Sequence, residues 1–219
     1  MDTAEGKNLV GAFHPPVAVL ADPRVLATLP DREYRAGLAE AVKHGLIADR
    51  AYFEWMEQEA EHLVARDATA LQHLVRRSVE IKADVVSEDE REAGRRAILN
   101  AGHTVAHALE QALDYRLPHG EAVGLGLVAE AALATQLALA PPELGSRLVA
   151  LLQRLGLPTR VAEPVATDRL LAAMGSDKKN RGRSIRFSLA RGLGVMGSGP
   201  NWTTEAKEPA IRAALRAIS

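Results

Sequence analysis

After Asp22-Pro23, apolar positions in the 219-residue chain fall into helical spacing almost to its end. Residues 7–21 read differently. Short apolar pieces, Leu9-Val10 and Val17 to Leu20, are punctuated by Gly11 and the Pro15-Pro16 pair, which predicts an extended lead-in. Pro30-Asp31 opens a segment in which Leu38, Ala41, Val42 and Ile47 share helical spacing. Residues 51–65 and 69–86 predict amphipathic helices, and the charged run over 87–92 leads into another over 97–113. Pro118 ends that run, and a long apolar helix begins near Glu121. It continues to Ala140 with Glu130 and Gln136 as interruptions, so it reads as a buried bundle helix and falls short of the roughly 18 apolar residues of a membrane span. Pro141-Pro142 breaks the pattern, and 142–155 and 167–174 predict further helices. Only SIRFSL, residues 184–189, alternates as a strand does, after the turn-like DKKNRGR. There is no repeat and no low-complexity segment. The predicted fold class is mainly α, a helical domain over 25–219 behind a connecting lead-in over 1–24.

Composition narrows the chemistry. Hydrophobic residues make up 47% and charged residues 25%, a globular balance with enough chain to bury a core. A net charge of -1 gives no basis for a nucleic-acid or anionic-membrane partner, and 4% aromatics gives none for a base-stacking platform. The N-terminus has neither the basic start nor the apolar core of a signal peptide. The absence of cysteine excludes disulfides and thiolate metal sites and fits a reducing cytoplasm. Any metal must therefore be held by histidine and carboxylate.

Three of the seven histidines fall within seventeen residues of LNAGHTVAHALEQALDYRLPHGEAVGLGL. His103 and His107 are four apart, so on a helix they share one face. His119 lies beyond a Leu-Pro break, where it can fold back toward them. A catalytic zinc site takes three protein ligands and keeps one position open. Glu40, set among Leu38, Ala39, Ala41 and Val42, reads as a partly buried carboxylate in need of a partner. His44, four residues on, is an alternative further ligand. Cations gather in the same blocks: Lys43 three residues from Glu40, Lys82 among apolar neighbours, Arg96 and Asn100 leading toward His103, and Lys178-Lys179 before a turn. Cations converging on a metal imply an anionic substrate, with phosphate or carboxylate the natural groups.

These blocks resemble the 3-dehydroquinate synthase family. The resemblance is carried by GKNLVGAFHPP, LATLPDREYRAGLAEAVKHGLI, DEREAGRRAILNAGHTVAHALE, HGEAVGLG and DKKNRG, in family order from residue 6 to about 194. It implies zinc, or cobalt in its place, on Glu40, His103 and His119, with His107 left as a substrate-contacting acid–base residue. It further implies substrate contacts from Asn8, Lys43, Lys82, Arg96, Asn100 and Lys178 (or its neighbour Lys179), and proton transfer by Glu92. Lys7 and the stretch Val25, Leu26, Ala27 and Thr28 would border NAD. The implied reaction turns the acidic sugar phosphate 3-deoxy-D-arabino-heptulosonate 7-phosphate into 3-dehydroquinate and phosphate. Transient oxidation of one hydroxyl acidifies the adjacent C–H so that phosphate can leave.

No strand–glycine loop–helix unit precedes GKN. The sequence is therefore expected to correspond to the C-terminal half of such an enzyme. Its NAD-binding part would be a separate domain or partner, the half would be inactive alone, and it would form a homo-oligomer. Alternative readings are a related sugar phosphate cyclase, half of a metal-dependent alcohol dehydrogenase, or a non-catalytic zinc-binding helical remnant or partner subunit.

Overall fold

The computed structural model describes residues 10–11, 17–90, 94–176, 184–197 and 202–219. Among them the helices are α1 (Asp31–Ala48), α2 (Arg50–Gln58), α3 (Ala60–Val64), α4 (Ala68–Glu88), α5 (His103–Ala112), α6 (His119–Gln136), α7 (Pro142–Arg154), α8 (Thr167–Ser176) and α9 (Glu208–Leu215). Two 3-10 turns, Pro23–Thr28 and Arg95–Asn100, precede α1 and α5. The mainly α class holds.

Local chemistry sets most starts and stops. Asp49 and Asp67 accept the backbone N–H of Tyr52 and Ala70, at 3.0 and 2.9 Å, capping α2 and α4. Proline begins α7 and stands just before α1 and α6. Helix α6 is buried around nearly its whole circumference and packs against α1, α5, α7 and α9. That explains its run of small and apolar residues: a central helix has no solvent face to make polar.

Two of the predicted helices are each broken once. Residues 51–65 divide at Glu59, where the bend turns the fully buried Ala60 and Leu63 into the core. Residues 97–113 divide at Gly102, whose φ of 80° no regular right-handed helix accommodates. The 3-10 turn lies before that glycine and α5 after it. The lead-in residues 17–22 form no strand, and Val17, Val19 and Leu20 are exposed. The predicted strand is present as β1 (Ile185–Phe187), paired antiparallel with β4 (Thr204–Ala206). Sequence reading misses β4 and the small hairpin of β2 (Ala190–Gly192) and β3 (Val195–Met196), because two- and three-residue strands carry too few positions to alternate. It also passes over α9, whose Ile211, Ala214 and Leu215 do share helical spacing.

Glycine sets how closely α6 approaches its neighbours. A Cβ on Gly120 would stand 1.9 Å from the carbonyl oxygen of Ala36 on α1, and one on Gly126 would stand 2.0 Å from that of Gly102. Backbone therefore meets backbone at both places. Gly120→Ala is expected to force α6 off α1 and cost about 1–3 kcal/mol, the usual range for overpacking. Gly145→Ala on α7, where a methyl meets only open space, should leave stability unchanged or raise it by up to about 1 kcal/mol. Urea midpoints of the two variants check this, and equal midpoints would contradict it.

Candidate metal centre

The close approach of α6 to α1 brings the first residue of α6, His119, against Glu40, one turn beyond Ala36. The Gly102 turn brings in the first residue of α5, His103. Glu40 Oε1 then lies 3.8 Å from His103 Nε2 and 3.6 Å from His119 Nε2. One donor atom from each of the three residues lies within 4.8 Å of the others. Bonds of about 2.0–2.1 Å in a tetrahedron put ligand atoms roughly 3.3 Å apart, so the two Glu40 contacts are within a few tenths of an ångström of zinc geometry. The donor set of two imidazoles and one carboxylate also fits a borderline divalent ion with an open position.

Each donor is turned inward by a second partner. Glu40 Oε2 receives the Lys43 ammonium at 2.6 Å, leaving Oε1 to face the imidazoles. His103 Nδ1 donates to the Ala101 carbonyl at 3.1 Å. His119 Nδ1 donates to Glu110 Oε1 at 3.2 Å. These outer bonds fix the ring orientations and turn each Nε2 inward.

The electrostatics follow the packing. Burial alone would raise the Glu40 carboxyl, but the nearby His119 imidazole and the Lys43 charge outweigh it and hold the group well below the usual carboxylate range. Burial, then the Lys43 charge, pushes His103 down to about 4. The Glu110 hydrogen bond and the nearby Glu40 carboxylate raise His119 to about 9. Burial depresses Lys43, partly offset by Glu40, and the nearby charge of Lys82 depresses it further.

The other expected site residues are placed unevenly. His107 is exposed one turn beyond His103, its ring 5.5 Å from that of His103 and 6.5 Å from that of His119. Lys82, expected among apolar residues, is exposed on α4, with its charge felt at Lys43 and His44. Arg96 and Asn100 sit on the 3-10 turn before Gly102, half-buried, and the Arg96 guanidinium donates to the Glu90 carbonyl at 2.9 Å. Val25 to Thr28 occupy the other 3-10 turn, which Arg66 ties down through the carbonyls of Leu26, Ala27 and Leu29. That turn borders a cavity of about 530 Å³ lined by Asp22, Arg24, Ala27, Arg66, Leu71 and Gln72, among others. Lys7, Asn8, Glu92, Lys178 and Lys179 lie outside the described residues. His44 stands outside the ligand cluster.

Sequence reading passes over Glu110 and takes Glu130 only as an interruption of an apolar helix. Both are buried. Glu130 Oε2 accepts the Gly102 N–H at 2.7 Å, with the N–H groups of Thr104 and Val105 also directed at it, so it caps α5 from beneath. Burial pushes its carboxyl up to about 8. Glu110 could have been found by spacing, since it stands seven residues after His103 on the same helical face.

The sequence model for the 3-dehydroquinate synthase C-terminal region matches residues 37–180, and that for the N-terminal region of the same family matches residues 1–36. A 3-dehydroquinate synthase from Caulobacter vibrioides is 49% identical over 200 residues, covering 89% of this chain and 54% of its own length. One from Halorhodospira halophila is 52% identical over 191 residues, covering 86% of this chain and 53% of its own. Among solved structures, a 2-deoxy-scyllo-inosose synthase complexed with carbaglucose-6-phosphate, NAD+ and Co2+ superposes with a TM-score of 0.88 at 27% identity, covering 100% of this chain and 61% of that one. A 2-epi-5-epi-valiolone synthase from Streptomyces hygroscopicus, with NAD+ and Zn2+ bound, gives 0.83 at 28% identity, covering 98% of this chain and 59% of that one. The chain belongs to the 3-dehydroquinate synthase family, and it spans about half the length of the curated relatives it matches.

His44 makes the metal-free protein acid-sensitive. It is buried, its Nδ1 has no hydrogen-bond partner, and burial followed by the Lys43 charge holds it down to about 4 against 6.5 for a free imidazole. The unfolded chain therefore binds more protons than the folded one between those values. The stability His44 contributes is present above pH 6.5 and is lost as pH falls toward 4. His44→Leu is expected to remove up to about 3 kcal/mol of that fall. Urea titrations of both proteins at pH 7 and pH 4.5 check it, and parallel losses in the two would contradict it.

Proposed function

We propose that the chain is the metal- and substrate-binding half of a 3-dehydroquinate synthase, a carbon–oxygen lyase of the shikimate pathway. In that role it would serve aromatic amino acid biosynthesis in the cytoplasm. Its substrate would be 3-deoxy-D-arabino-heptulosonate 7-phosphate, converted to 3-dehydroquinate and phosphate. The reading is carried by the convergence of one Glu40 oxygen on two histidine Nε2 atoms, in a chain of this family. Zinc or cobalt, bound there, would supply a Lewis acid, and NAD would supply a transient oxidation.

The chain's own residues would do the rest. Glu40, His103 and His119 would hold the ion, and Lys43 would keep Glu40 ionised and aimed. The charges of Lys43 and Lys82 work against each other, a repulsion that an anionic substrate group would relieve. Arg96, Asn100, Asn8 and Lys178 would complete the anion contacts, so that much of the rate comes from positioning. His107, exposed and outside the ligand set, would move protons together with Glu92. Lys7 and residues 25–28 would meet NAD, most of which would be held by a separate domain or partner. The exposed Val17, Val19, Leu20 and Val25 would be covered by that part or by a second copy of the chain.

Three measurements on the purified chain test this reading. Elemental analysis should find one zinc per chain. Glu40→Ala should weaken zinc binding by more than about 100-fold, since losing an outer-shell partner alone costs about 10–100-fold. Calorimetry should show heat with the heptulosonate phosphate and none with glucose 6-phosphate, and the reverse preference would favour another sugar phosphate cyclase. No turnover is expected from the chain with NAD alone. Absence of metal and of heat in a folded chain would favour the non-catalytic remnant.

A further inference from the structure

The two histidines of the centre are oriented by chemically different groups. His103 donates to a neutral main-chain carbonyl, whereas His119 donates to a carboxylate. That carboxylate is on α5, the helix that also supplies His103. Residues 103, 107 and 110 stand at i, i+4 and i+7, one stripe of the helix. The Glu110 side chain is only 8% exposed, and the His119 side chain it grips is 48% exposed. A half-exposed imidazole at the first residue of a helix has little packing to hold its ring. A buried carboxylate is costly to keep unless it is paired and hydrogen-bonded. Each solves the other's problem, and the tie fastens the ligand on α6 to the helix that carries the ligand on α5.

We propose that Glu110 is a positioning residue of the metal centre. By accepting the Nδ1–H of His119 it turns Nε2 toward Glu40 and His103 and makes that nitrogen a stronger donor, thereby setting the metal affinity. This rests on the metal-centre reading above and adds a residue to it. No equivalent carboxylate faces Nδ1 of His103 among the described residues, so the two imidazoles are unequal donors by construction.

The test uses the full chain and its Glu110→Gln and Glu110→Ala variants. Zinc affinity is read by competition with a chromophoric chelator, the Co2+ absorption spectrum reports ligand field, and melting without metal reports fold. Glu110→Ala should weaken zinc binding about 100-fold and Glu110→Gln about 10-fold, because the amide oxygen still accepts Nδ1–H but carries no charge. The Co2+ bands should shift in both. Should Glu110→Ala fail to fold, the near-isosteric Glu110→Gln decides. Wild-type affinity and spectrum in Glu110→Gln would overturn the assignment, and a lowered melting temperature with unchanged zinc affinity would mark Glu110 as structural only. A wild-type chain that binds no zinc would overturn the metal centre itself, and this role with it.

Discussion

The distance between α6 and its two neighbours governs everything else in the centre. At Gly120 and Gly126 a methyl group would land on a main-chain oxygen of Ala36 or Gly102, so α6 lies directly against the backbone of α1 and of the turn before α5. His119 precedes the first of these contacts, Glu40 follows Ala36 by one turn, and His103 follows Gly102. Three donors from three helices reach one point because two glycines let those helices touch. Side-chain packing of ordinary thickness would hold the helices farther apart, near the 8–10 Å usual between axes.

On that frame sits a chain of charges that runs from buried Lys43 to buried Glu110 through the partly exposed Glu40 and His119. Lys43, Glu40, His119 and Glu110 alternate in sign when His119 is protonated, and Glu130 lies under the start of α5. Buried ionisable groups carry a desolvation cost that pairing only partly offsets. Here each is aimed by its neighbour: Lys43 occupies the outer oxygen of Glu40, and Glu110 occupies the outer nitrogen of His119. The inner atoms are left facing one another, within 4.8 Å, where a metal ion could be held.

Much of this was legible in the residues. The i, i+4 histidines, the Pro-His-Gly break that folds back and an acidic residue amid apolar neighbours bring in Glu40, His103, His107 and His119; the family resemblance leaves His107 out of the ligand set, and the structure brings the other three together. Proline and aspartate boundaries give α1, α4, α6, α7 and α8 to within a few residues. Gly102 could not be read locally: within a periodic run it looks like a tolerated helix glycine, and only a carboxylate 28 residues away, Glu130, rewards the break. Glu110 was obscured because an acidic residue on an amphipathic helix usually faces water. Lys82 misled in the opposite sense, since its apolar sequence neighbours point to other faces of α4. The short strands depend on tertiary pairing that no local pattern encodes, whereas α9 carries a proline in its first turn and Ile211, Ala214 and Leu215 at helical spacing and was legible.

The central claim is that Glu40, His103 and His119 form one metal shell and that His107 stays outside it. Zinc-edge X-ray absorption on the loaded chain addresses this directly. Two imidazoles and a light-atom remainder that includes one carboxylate are expected, with the imidazole signal falling to one in His119→Ala and staying at two in His107→Ala. Three imidazoles in the wild type, or a loss on removing His107, would contradict the assignment.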